Sequence, residues 1–253
     1  MVATTITLNT LHTSMQFSDN TAQKQADARR IFARAKSRNQ AWVTGTEAGM
    51  GASGDLRAAL AKEAKANGYK FTVKSDVWIA VQRALIHDGS WNDGFIKTLD
   101  ANTGSQRFSD RGILWCEFNA DVLGSVSVGV SHYMTHGRKP SDEYYGANTK
   151  LTKAIGAWGK VHGAGRRICF FQADSNIPDR TDDVFRGAPF TTLADELKDW
   201  QNSGHGSIDI IASYDADRRV KGKYFRVLDD KEFPLNTDHF ACEGGFEVTG
   251  RAA

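Results

Sequence analysis

Strand-like and helix-like segments alternate along the whole of this 253-residue chain, and that interleaving constrains its fold more than any other feature. Thr5-Ile6-Thr7-Leu8-Asn9 alternates with period two, the pattern of a half-buried strand. Thr21 to Arg38 reads as a basic helix with Ala26, Ile31, Phe32, Ala33 and Ala35 on an apolar face. A strand over Ala41 to Thr46 ends at Glu47, and Glu47 to Gly54 must be a loop because it is so rich in glycine. Asp55 to Asn67 is a second helix, with Leu56, Leu60 and Ala64 inward and Gly68 just past its end. Strands are then expected at Phe71–Val73, Val77–Ala84, Ile113–Phe118 and Val126–Val130, with turns at Asp88-Gly89, Asn92-Asp93-Gly94 and Asp110-Arg111-Gly112. A third helix spans Glu143 to Val161, and Arg167 to Phe171 is apolar enough for a central strand. Thr192 to Trp200 is a short helix capped by Thr192, and strands at Ile208–Ala212, Tyr224–Leu228 and Phe240–Val248 complete the chain. No linker or repeat interrupts the pattern, so it predicts a single α/β domain, 1–253, with two layers of sheet.

Composition narrows the function classes. The chain is 40% hydrophobic and 25% charged, ordinary for a protein that buries a sizeable core. No stretch approaches the roughly 20 apolar residues of a membrane helix. The first residues lack a basic segment followed by an apolar one, so an intracellular, cytoplasmic protein without a secretory leader is expected. Cys116, Cys169 and Cys242 are odd in number and set among apolar residues, which suits reduced core thiols better than a disulfide frame or zinc site. A net charge of +2 is too small to announce a polyanion partner by field alone.

Polar residues close several of the apolar runs, and together they carry the chemistry. In chain order they are Asn9, Glu47, His132, Asp174 with Asn176, Asp209, and Asp238-His239. Asn9 and Glu47 each have an ordinary alternative, a turn residue and a solvated charge. Asp174 and Asn176 follow an apolar strand at i and i+2, so extended backbone would aim both to one side, while Asp-Ser-Asn also suits an Asx-turn. Asp209 stands inside an apolar strand and needs a partner, because a buried unpaired carboxylate is costly; His239 offers one. Carboxylates and amides on separate strands suit a hard cation such as magnesium, with a histidine beside it for proton transfer.

In this order the residues resemble the endonuclease/exonuclease/phosphatase superfamily, over nearly the whole chain from Asn9 to His239. The resemblance implies a four-layer sandwich, two packed mixed sheets flanked by helices, and hydrolysis of phosphate esters with Mg2+ or Mn2+. It implies Asn9, Glu47 and Asp238 as metal residues, and His132, Asp174, Asn176, Asp209 and His239 as catalytic ones. Thr46, Ala173, Ser175 and Thr237 depart from the residues usual beside those positions.

Tyr133 and Arg138, which follow His132, are expected to bind substrate, Arg138 as a bidentate phosphate ligand. The loop from Asp215 to Lys223, with Arg218 and Arg219, is either a nucleic-acid contact or a solvated hairpin. The leading expectation is a monomeric nuclease, DNA ahead of RNA as its nucleic-acid substrate. The alternatives are hydrolysis of a small-molecule or lipid-headgroup phosphate ester, and a non-catalytic module that kept the fold.

Overall fold

The computed structural model describes residues 4–15, 20–48, 54–100, 110–135, 137, 139–176, 189–201, 209–235, 237 and 239–250. In chain order these form β1 (Thr5–Ser14), α1 (Thr21–Ser37), β2 (Gln40–Thr46), α2 (Gly54–Ala66), β3 (Tyr69–Lys74), β4 (Val77–Gln82), β5 (Asn92–Leu99), β6 (Arg111–Ala120) and β7 (Gly124–His132). They continue with α3 (Tyr145–His162), β8 (Ile168–Asp174), β9 (Thr191–Thr192), α4 (Leu193–Leu197), β10 (Asp209–Tyr214), β11 (Val220–Leu228) and β12 (Ala241–Thr249).

Two six-stranded sheets result, ordered β11-β12-β1-β2-β4-β3 and β5-β6-β7-β8-β10-β9. Each has one parallel pair at its centre, β1–β2 and β7–β8, and antiparallel neighbours elsewhere. Parallel strands need a crossover connection, and α1 and α3 supply the two. With α2 beside α1, the helices cover the outer faces, which gives the expected α/β sandwich of four layers.

Strand parity sorts side chains among these layers. Leu8, Trp42, Val128, Phe170 and Phe246 point between the sheets, whereas Leu11, Val43 and Trp78 lie on the outer face toward α1 and α2, and Cys169, Phe171 and Ala212 toward α3. Trp42 and Phe170 meet at 4.4 Å between ring centroids, and Phe170 and Phe246 at 4.9 Å. Truncating Phe170 to alanine would cost roughly 3–5 kcal/mol. The two side-chain caps follow sequence chemistry: Asn20 accepts from the Gln23 N–H at 3.1 Å, and Thr192 from the Asp195 N–H at 3.1 Å.

Several elements differ from expectation: β6 begins at Arg111, inside an expected turn, β11 begins at Val220, inside the expected loop, and the short β9 pairs where no strand was expected. The first strand runs on to Ser14, five residues past Asn9. Asn92-Asp93-Gly94 begins the edge strand β5 instead of making a turn; polar residues there suit an edge that must not recruit another chain. Among the described residues no helix is long and apolar enough to cross a membrane.

Candidate active site

Sheet pairing assembles most of the site. In the second sheet His132 is paired with Asp174 across β7 and β8, and Asp174 with Asp209 across β8 and β10. Three neighbouring strands therefore present an imidazole and two carboxylates in one lateral row. All three continue the inward-facing series of their strands, Val130 before His132, Gln172 before Asp174 and Ile211 after Asp209. From the first sheet, Ser14 is paired with Thr46, and Glu47 follows directly at φ +62°. The Thr46 hydroxyl donates to Ser14 Oγ at 2.9 Å, and Ser14 Oγ donates to Glu47 Oε2 at 3.4 Å. His239, just before β12, faces Asp209 with Nδ1 3.2 Å from Oδ2.

Glu47, His132 and Asp174 offer ligand atoms within 4.8 Å of one another, and so do Asp174, Asp209 and His239. Asp174 belongs to both sets, so they form one site. The donor set fits a hard cation, since the carboxylates of Glu47 and Asp174 supply oxygen.

Each histidine has its own acid. His132 Nδ1 lies 2.7 Å from Asp76 Oδ2, while its Nε2 lies 3.5 Å from Asp174 Oδ2. Asp76, in the turn between β3 and β4, is also ion-paired with Arg111. Burial opposes charge on Asp76, yet Arg111 and His132 hold its carboxyl below the usual range. On the other side, burial would lift the Asp209 carboxyl, but the His12 and His239 imidazoles beside it keep it well below its ordinary value. His239 rises to about 10: burial works against its charged form, and Asp209, Asp174 and Glu47 outweigh that. The Asp174 carboxyl is raised, chiefly by burial and further by Asp209, with His132 and His239 pulling the other way. A buried carboxyl lifted above its usual range is suited to taking a proton from water.

Asn176, at φ +50°, returns its backbone N–H to Asp174 Oδ1 at 3.0 Å and donates Nδ2 to the Tyr133 carbonyl at 2.9 Å. The Asx-turn is therefore what forms, and the Asn176 amide turns to the Tyr133 carbonyl instead of extending beside Asp174.

Not every expected residue is brought together. Asn9 occupies an outward position of β1, where Nδ2 donates to the Arg38 carbonyl at 3.2 Å and Oδ1 accepts from Tyr224 Oη at 3.3 Å. At about 3.3 Å per residue it is some 16 Å from Ser14, the β1 residue that reaches Glu47. Tyr133 is turned outward too: it is fully buried in the layer beneath α3, with Oη 3.3 Å from Thr152 Oγ1. Substrate contact through its side chain is corrected to positioning of Asn176 through its carbonyl. Arg138 and Asp238 lie outside the described residues. The loop after β10 sits at the opposite end of the sheets from Asp209, and Arg219 is tied there to the Leu123 and Arg166 carbonyls at 3.3 and 3.0 Å.

Sequence reading passed over Asp76, Arg111 and Ser14. Asp76 carries the same signal as the others, a polar residue bordering an apolar run at Val77. Ser14 becomes visible only once β1 is extended along its inward series Leu8, Thr10, His12, Ser14.

No protein-family model and no curated protein matches the sequence. Solved structures do. An endonuclease/exonuclease/phosphatase from Bacteroides vulgatus superposes with a TM-score of 0.71 at 14% identity, covering 96% of this chain and 99% of the other. The fold is that of the endonuclease/exonuclease/phosphatase proteins. D. rerio TDP2 complexed with a single-strand DNA product gives a TM-score of 0.66 at 14% identity, over 95% of this chain and 98% of that one. A mannosyl-6-phosphatase from Bacteroides thetaiotaomicron gives 0.66 at 12% identity, over 94% and 99%. The endonuclease/exonuclease/phosphatase resemblance read from Asn9 to His239 is thus present as a likeness of fold.

Proposed function

We propose that this chain is a divalent-metal-dependent phosphodiesterase acting on nucleic acid, DNA ahead of RNA, as a single-domain monomer. The observation that carries the reading is Asp174, a buried acid common to both clusters and flanked by a histidine on each side. The likeness of fold to a TDP2 complexed with DNA product and to a sugar phosphatase supports phosphate-ester chemistry.

Glu47 and Asp238 would hold Mg2+ or Mn2+, which when bound neutralises charge on the phosphate and the leaving oxygen. Asp174 takes the proton of the attacking water, and Asn176 fixes the carboxylate through its backbone N–H. His239, with Nδ1 held by Asp209, donates from Nε2 to a phosphoryl oxygen. His132, anchored by Asp76, is the second donor. Arg138 binds a phosphate beside them. Losing one such donor costs roughly a hundredfold in rate or more.

The second reading, a small phosphate ester, is favoured by the net charge of +2 and by the position of Arg219 at the far end of the sheets. Plasmid DNA, RNA and bis(p-nitrophenyl) phosphate, each with Mg2+ or Mn2+, separate the two, with Asp174→Ala and His239→Ala as controls. Polynucleotide cleavage should fall steeply with added salt as counterion release is suppressed, while small-ester hydrolysis should not. Absence of hydrolysis of every ester with both cations would sink the proposal; hydrolysis of the small ester alone would transfer it to the second reading.

A further inference from the structure

Near Asp209 the layer between the sheets turns from aromatic to polar. Thr10 and His12 of β1, Thr44 of β2 and Gln172 of β8 are all at most 1% exposed. Their hydrogen bonds have a fixed direction. Thr10 Oγ1 donates to the Trp42 carbonyl at 3.0 Å and accepts from Gln172 Nε2 at 2.9 Å. The Gln172 amide so oriented presents Oε1 to Thr44, whose hydroxyl donates to it. That hydroxyl has one hydrogen, now committed, so in the 2.8 Å contact between His12 Nδ1 and Thr44 Oγ1 the imidazole is the donor. The ring is thereby locked, and its Nε2 lies 3.6 Å from Asp209 Oδ1. With Nδ1 already a donor, Nε2 must carry a hydrogen as well to be drawn to that oxygen, so the ring that faces Asp209 is the imidazolium and the contact an ion pair longer than a hydrogen bond. His239 takes the other oxygen, Oδ2.

Polar groups in such a layer cost about 1–3 kcal/mol each when unsatisfied, so an apolar filling would be the simpler way to join two sheets. This row instead runs through four strands of both sheets and ends on an acid of the site. We propose that His12 is a positioning residue: anchored through Thr44 and Gln172, it holds Asp209 by one oxygen and so aims the His239 imidazole at the reacting phosphate. The inference rests on reading His239 as a phosphoryl-oxygen donor.

The test compares His12→Leu, which removes the donor, with His12→Gln, which returns an amide N–H toward Asp209. Kinetics use bis(p-nitrophenyl) phosphate with Mn2+. Proton NMR follows the downfield His239 Nδ1–H resonance, assigned by its loss in Asp209→Asn. His12→Leu should lower kcat roughly ten- to a hundredfold with KM within about twofold, and His12→Gln should recover kcat to within about fivefold. The double variant His12→Leu/Asp209→Asn should be no slower than Asp209→Asn, because the two residues act as a unit. The resonance should shift or broaden in His12→Leu and return in His12→Gln.

The proposal is overturned by full kcat in a folded His12→Leu, by equal losses in both single variants, or by multiplying losses in the double variant. Should His12→Leu fail to fold, Thr44→Val removes the anchor on Nδ1 and is read in the same way. If the wild type hydrolyses no ester, the functional reading fails by itself. The resonance then decides the positioning role, and an unmoved signal in His12→Leu rejects it.

Discussion

Two histidines approach Asp174 from different sides, and each leans on its own buried acid, but the acids are supported differently. Asp76, behind His132, is paired with the guanidinium of Arg111, a group charged at every accessible pH. Asp209, behind His239, has the imidazole of His12, reached through a directional row of hydroxyl and amide groups. The first arm is held by charge, which tolerates small displacements. The second is held by a ring whose position, and whose hydrogen on each nitrogen, depend on donor geometry across both sheets. The contrast teaches that similar dyads can fail differently, the charged one by losing stability and the directional one by losing rate.

The largest effect should come from the acid both arms share. Asp174→Asn is expected to lower turnover roughly 10²- to 10⁴-fold in a folded protein, the range for losing a positioned base. A loss below about tenfold would break the picture of a common acid.

Next come the arms themselves. Asp209→Asn should cost roughly 10²- to 10³-fold in kcat. Asp76→Asn should cost stability most of all, roughly 3–5 kcal/mol, because it removes one partner of a buried ion pair with Arg111. The sign with pH follows from the lowered Asp76 carboxyl. Its stabilisation is present above the unfolded value, near pH 4, and is lost as pH falls through the folded one. The gap between wild type and Asp76→Asn in urea midpoint should therefore be full at pH 7 and close below about pH 4. A gap that persists in acid would mean that packing, not charge, holds this arm.

His239 gives the opposite slope. Its folded value of about 10 exceeds the unfolded one, so its contribution is complete below about pH 6.5 and is lost as pH rises through 10. Melting temperature should decline between pH 7 and 10 in the wild type and decline less in His239→Gln. The smallest effect is expected at Asn9, whose amide bonds away from the site. Asn9→Ala should leave kcat/KM within about twofold; a hundredfold loss would show that Asn9 acts on the site despite bonding away from it.

The sequence made the architecture readable because strands and helices announce themselves by period. All four helices and most strands are found where their patterns lie. β5 escaped because it is an edge strand whose first residues, Asn92-Asp93-Gly94, have the composition of a turn. The site was readable where a polar residue interrupts an apolar series on the inward face, as at His132, Asp174 and Asp209. Asn9 and Tyr133 were misjudged through parity. Each is one step out of phase with its inward neighbours, and in a strand one step reverses the face. Parity can be assigned only when the strand's full length is known, and β1 continues through Thr10, His12 and Ser14, a polar run that looks like the end of a strand. His12, Thr44 and Gln172 were illegible for a related reason: their meaning depends on contacts between sheets more than a hundred residues apart in the case of Thr44 and Gln172.

Glu47 follows β2 with a positive φ of 62°, a twist that side-chain-bearing residues avoid at a cost of about 1–2 kcal/mol each. Glycine would relax that twist while deleting the carboxylate. Glu47→Gly should therefore outlast Glu47→Ala in a thermal challenge, although on the proposed reading neither should turn over an ester. On the proposed reading, an acid standing where the main chain favours glycine exchanges durability for metal binding, and one substitution there should give a more durable but silent form of this protein.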